Sequence, residues 1–159
     1  MTTTKRFATG YMDNATTPEG LSQIVETAIR DLGEVDFDTI VGTGFSGGVV
    51  IPFLAAAMGK DFVLIRKEDD DSHHGPGKLL GTLGQRWIFV DDFVSSGATQ
   101  KRVLAKVEEA AAPSTEFWGD KTDLQTTYVG TYTYVNFDKK GWRPNGVEQP
   151  AEPGQHEEN

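Results

Sequence analysis

The chain has 159 residues, 15 Lys+Arg against 24 Asp+Glu, a formal net charge of −9 and no cysteine. That length suits one domain with a sizeable core, and the composition excludes disulfides and thiol chemistry. The acidic balance opposes binding along a nucleic-acid backbone, which calls for clustered cations. The N-terminal MTTTKRFATG lacks the apolar core of a signal peptide, and the longest apolar run, residues 49–58, is too short to span a bilayer. A soluble cytoplasmic protein with neither nucleic-acid nor membrane partners is expected.

In chain order, Thr16 or Thr17 caps a first helix, with Pro18 and Glu19 in its opening turn. Leu21, Ile24, Val25, Ala28, Ile29 and Leu32 follow at helical spacing, and Gly33 stops it. Residues 38–43 predict a β-branched strand, 47–58 an apolar helix and 62–66 a second buried strand. Residues 68–78, polar and charged with glycine and proline, read as an exposed mobile loop. A third strand over 86–90, a helix over 100–111 and a strand over 126–135 complete the alternation. Strands alternating with helices predict an α/β fold, a doubly wound parallel sheet. Residues 143–159, rich in Pro, Gly, Glu and Gln, predict a disordered acidic tail behind a domain spanning 1–142.

Residues 88–99, IFVDDFVSSGAT, carry the most chemistry. An apolar strand ends in Asp91 and Asp92. Then come Ser95, Ser96, Gly97, Ala98 and Thr99, directly before a helix. Backbone N–H groups and hydroxyls at a helix N-terminus suit a phosphate. Two carboxylates at the strand end suit a vicinal diol, whose hydroxyls they can accept. Phosphate plus diol points to a phosphorylated ribose.

The chain's first glycine loop, residues 42–47 (GTGFSG), also follows a strand and opens a helix. Alone it satisfies G-x-G-x-x-G, so a small NAD(P)-binding oxidoreductase is an alternative. That reading leaves residues 91–99 unexplained.

The 88–99 stretch resembles the phosphoribosyl-pyrophosphate (PRPP) signature of the type I phosphoribosyltransferases. Arg66-Lys67-Glu68, His74-Gly75, Gly77 and Leu79-Leu80-Gly81 resemble, in the same order, the corresponding stretch of orotate phosphoribosyltransferases. Gly42-Thr43-Gly44-Phe45 is similar to the Arg-Gly-Phe segment of adenine phosphoribosyltransferases, with Thr43 in the arginine position. The likeness implies a phosphoribosyltransferase core with a small hood, displacing pyrophosphate from PRPP with a nucleobase. It implies Asp91 and Asp92 on ribose, residues 95–99 on the 5-phosphate, and Thr43, Gly44, Arg66 and Lys67 on pyrophosphate. Catalysis would rest on Asp91, Asp92, Arg66 and Lys67. It further implies Mg²⁺ carried on PRPP near Asp91 and Asp92, a homodimer sharing Arg66 and Lys67, and a closing loop. In that loop the family's lysine position holds Asp70, leaving His73, His74 and Lys78 as substitutes. Ser95 stands where 6-oxopurine enzymes usually place an aspartate, which favours orotate or adenine over hypoxanthine or guanine. Tyr128, Tyr132 and Tyr134 suit a core, whereas Phe137 and Trp142, at the strand end, are candidates to stack on the base. A non-catalytic PRPP sensor on the same fold is the other alternative.

Overall fold

A computed structural model describes residues 2–7, 10–66, 79–93, 96–135 and 141–146. After two short 3-10 turns, Gly10–Met12 and Asn14–Thr16, come α1 (Pro18–Leu32), β1 (Thr39–Thr43), α2 (Gly44–Met58) and β2 (Asp61–Ile65). Then follow β3 (Leu79–Gly81), β4 (Arg86–Asp91), α3 (Ala98–Ala111), β5 (Thr127–Thr133) and β6 (Trp142–Pro144).

The six strands form one sheet in the order β3-β2-β1-β4-β5-β6. Strands β2, β1, β4 and β5 run parallel, as the alternation predicts, but β3 and β6 pair antiparallel at the two edges. The sheet is therefore mixed rather than wholly parallel. Each edge strand is three residues long, too short to carry a periodicity. Strand β6 takes in Arg143 and Pro144, which the composition assigns to the tail. An edge position tolerates a proline, which has no N–H to give a ladder.

Residues of one strand point alternately to the two faces, and the core divides accordingly. Ile40, Ile88, Val90 and Tyr132 join one cluster with Ala28 and Leu32 of α1 and Val50, Ile51 and Leu54 of α2. Val41, Val63, Ile65, Trp87 and Phe89 face the other way, onto Val103 and Val107 of α3. Helices on both faces make the sheet doubly wound. β1 is buried at all five positions, as a central strand covered on both faces must be. Thr17 caps α1, its hydroxyl accepting from Gly20 N at 3.1 Å.

Helix α2 starts at Gly44, three residues before the periodicity places it, because β1 turns straight into the helix at Thr43. Gly44 makes that turn with φ +64°, a left-handed conformation favouring glycine. Gly42 and Gly47 let strand and helix touch: a Cβ on Gly42 would lie 2.0 Å from Ile51 Cδ1 and 3.1 Å from Val90 O. A Cβ on Gly47 would lie 3.0 Å from Gly42 C. Here the glycines of the first motif serve backbone packing as well as the loop.

Candidate active site

The strand order reverses between β1 and β4. At such a switch point the connections from neighbouring strands leave in opposite directions and open a crevice beyond the strands' carboxyl ends. Both glycine loops start there. β1 ends at Thr43 and enters α2; β4 ends at Asp91 and leads to α3. Two helix N-termini, with their outward N–H groups, thus flank the Asp91–Asp92 pair.

Asp91 is 7% exposed. Its Oδ1 accepts from Ser46 Oγ at 2.8 Å and from Asp92 N at 2.9 Å. Asp92 is half-buried, and its Oδ1 accepts from Phe93 N at 2.8 Å. Burial pushes the Asp91 carboxyl up to about 6; the bond from Ser46 pulls it down, and neighbouring Asp92 raises it. Tyr134, from the end of β5, donates its hydroxyl to Ser46 O at 2.9 Å. Burial, with the charges of Asp92 and Asp91, raises its pKa. Ser46 thereby joins α2, β4 and β5 across the crevice. Neither Ser46 nor Tyr134 stands out in the sequence, where one is a small residue inside a glycine motif and the other an aromatic in a strand.

The second loop enters α3 through Gly97, left-handed at φ 76°, with Ser96 Oγ accepting from Ala98 N at 3.3 Å. Ser96, Ala98 and Thr99 are exposed. A cavity of about 30 Å³ opens here against Phe89, Asp91, Phe93, Gly97 and Gln100. A larger one of about 720 Å³ lies among Thr17, Leu21, Val25, Phe53 and Ala57. It is mainly apolar and shares no residue with the crevice.

Thr43 is buried at the end of β1, donating its hydroxyl to Ile65 O at 2.7 Å and accepting from Arg102 Nη2 at 3.2 Å. Arg66 is half-buried just beyond β2. The structure thus brings together Thr43, Gly44, Arg66, Asp91, Asp92, Ser96, Gly97, Ala98 and Thr99 at one end of the sheet. Trp142 lies elsewhere: its ring covers Gly130 in mid-β5, a Cβ on which would lie 2.6 Å from Trp142 Cη2, and it packs against the core. The expected cores hold. Tyr132 is buried with its hydroxyl on Asp31 at 3.0 Å, and Tyr128 packs at a tilt against Trp87 with ring centroids 4.9 Å apart. Lys67, Asp70, His73, His74, Lys78, Ser95 and Phe137 lie outside the described residues, as does the tail from residue 147.

Solved structures share this fold. The UMP synthase of Leishmania donovani superposes with TM-score 0.58 at 17% identity, over 77% of this chain and 24% of that one. The orotate phosphoribosyltransferase of Aeropyrum pernix gives 0.52 at 14%, over 74% and 59%. That of Mycobacterium tuberculosis, solved with PRPP, gives 0.50 at 15%, over 76% and 62%. The fold is that of the type I phosphoribosyltransferases.

Sequence comparison agrees with the phosphoribosyltransferase likeness. An adenine phosphoribosyltransferase of Bifidobacterium longum subsp. infantis is 31% identical over 109 residues, 58% of this chain and 56% of that protein. An orotate phosphoribosyltransferase of Sulfurisphaera tokodaii is 30% identical over 88 residues, 54% and 44%. A Methanocaldococcus jannaschii protein named transcriptional regulator GfcR is 29% identical over 87 residues, 50% and 41%. The matches span about half the length of these relatives. No protein-family model matches the chain. Among the described residues, no helix is long and apolar enough to cross a membrane.

Proposed function

We propose that the chain is a PRPP-dependent phosphoribosyltransferase, transferring the phosphoribosyl group to a nucleobase nitrogen, with orotate or adenine preferred over hypoxanthine or guanine. The observation that carries this reading is the placement of two helix N-termini on either side of the Asp91–Asp92 pair at one switch point. One anion site at each end with carboxylates between them suits a ligand bearing pyrophosphate, ribose and phosphate in that order. Residues 95–99 take the 5-phosphate, and Asp91 and Asp92 accept from the ribose hydroxyls. The first turn of α2, after Thr43 and Gly44, takes pyrophosphate together with Arg66 and Lys67.

In the reaction the base nitrogen bonds to the anomeric carbon as the bond to pyrophosphate oxygen breaks. Positive charge builds on the ribose, and carboxylates beside it stabilise that charge. The oxygen-only donors of Asp91 and Asp92 fit Mg²⁺, which prefers few carboxylates together with phosphate oxygens and water. Bound there with PRPP, it would offset the charge of the departing pyrophosphate. A homodimer in which Arg66 and Lys67 serve the neighbouring site, and closure of a loop bearing His73, His74 and Lys78, belong to the same proposal. Closure would keep water from the reacting carbon.

The likeness to a protein named transcriptional regulator GfcR, with Asp70 in the loop-lysine position, favours a second reading. In it the chain binds PRPP and signals rather than catalyses. Pyrophosphate release from PRPP and Mg²⁺, measured with orotate, adenine, hypoxanthine and guanine, separates the two. The enzyme releases pyrophosphate with orotate or adenine above the other two, and Asp70→Lys raises the orotate rate. A regulator binds PRPP yet releases none with any base, before or after that substitution.

A further inference from the structure

We propose that Arg102 of α3 is a pyrophosphate-recognition residue, an assignment that rests on the PRPP reading of the crevice and extends it to a residue that no motif marks. In the sequence Arg102 is one of several polar residues along a helix. In the structure it crosses to the other glycine loop. Its Nη2 donates to Thr43 Oγ1 at 3.2 Å and its Nη1 reaches the Arg66 carbonyl at 3.5 Å. The guanidinium therefore stands at the carboxyl ends of β1 and β2, where the chain enters the first turn of α2.

Three features make this position suited to an anion. The Thr43 hydroxyl already gives its proton to Ile65 O at 2.7 Å, so it can only accept from Arg102, and the orientation of the pair is fixed. Among the described residues, the partners of Arg102 are neutral oxygens, a hydroxyl and a carbonyl, so no carboxylate there cancels its charge. A guanidinium also carries five N–H donors in a rigid fork, and these two contacts use a minority of them. The carboxylates of Asp91 and Asp92, in a chain of net charge −9, would repel the most highly charged part of PRPP, so cations beyond those assigned to Arg66 and Lys67 are of use there. Arg102 supplies the opposing charge from α3, beside the N–H groups of α2.

The test is calorimetric, with Mg²⁺ throughout, using three ligands that divide the substrate: PRPP, inorganic pyrophosphate and ribose 5-phosphate. In Arg102→Gln, affinity for PRPP and pyrophosphate should fall about tenfold or more, the loss of one charge-assisted contact, with ribose 5-phosphate unchanged. Arg102→Lys keeps the charge without the fork and should lose less. Unchanged pyrophosphate binding in Arg102→Gln would overturn the assignment, as would an equal loss for all three ligands, the mark of a residue that only supports the loop. If Arg102→Gln does not fold, Arg102→Lys decides: a loss confined to PRPP and pyrophosphate upholds the assignment, and any other pattern overturns it. Failure of the wild-type chain to bind PRPP at all would instead contradict the PRPP reading itself, before any variant is compared.

Discussion

Ser46 and Asp91, 45 residues apart in the chain, meet in the crevice with Ser46 Oγ donating to Asp91 Oδ1 at 2.8 Å. The bond ties the first turn of α2 to the end of β4, so the two glycine loops form one unit. It also favours the ionised carboxylate against the burial that opposes it. Ser46→Ala should therefore move the Asp91 pKa above about 6. It should also cost roughly 1.5–3 kcal/mol at neutral pH, the range for a hydrogen bond to a charged group. Carboxyl-resolved NMR titration and urea unfolding at pH 7 measure the two effects. An unmoved pKa would show that Ser46 does not act on Asp91.

Asp91 itself gives stability a pH dependence of definite sign. Its folded pKa, about 6, lies above its ordinary value of 3.8. The folded state thus binds a proton more tightly than the unfolded chain. The resulting stabilisation is complete below about pH 4 and is lost as pH rises through 6, with a full span of roughly 3 kcal/mol. Asp91→Asn cannot titrate, so the difference in unfolding free energy between wild type and variant should shift toward the variant from pH 4 to pH 7. A difference that is flat across that window would contradict the raised pKa.

Asp92 is the more accessible carboxylate and is assigned to the ribose hydroxyls. Asp92→Asn should weaken PRPP by roughly 1.5–3 kcal/mol while leaving inorganic phosphate nearly unaffected. Calorimetry with both ligands checks this. Equal losses would mean that Asp92 supports the loop without contacting sugar.

The contact between Gly42 and Gly47 offers a test of the scaffold. Gly42→Ala places a methyl 2.0 Å from Ile51 Cδ1 and 3.1 Å from Val90 O, an overpacking that should cost about 1–3 kcal/mol. Gly48→Ala, one residue beyond Gly47 and with nothing within 4 Å of its new Cβ, should instead stabilise α2 by about 0.5–1 kcal/mol. Urea midpoints of the two variants should move in opposite directions. A shared direction would contradict the close approach of β1 and α2.

Much of this was legible in the sequence because it is local. Thr17 and Pro18 announce α1, the apolar runs announce β1 and β4, and both glycine loops lie within single short stretches. What escaped is non-local. Ser46 matters only because β1 and β4 become neighbours, and Arg102 because α3 packs on the sheet face where its side chain reaches Thr43. Trp142 reads as a terminal aromatic near a ligand, yet an antiparallel return in β6 lays it over Gly130. Strands β3 and β6 are set by the edges they join, which three residues of sequence cannot express.

A crevice that binds PRPP must be stabilised by it. With Mg²⁺ and PRPP at a hundredfold its Kd, the unfolding free energy should rise by about 2.7 kcal/mol, and NADP at the same concentration should leave it unchanged. Stabilisation by NADP with none from PRPP would contradict a PRPP site and assign the first glycine loop to a dinucleotide.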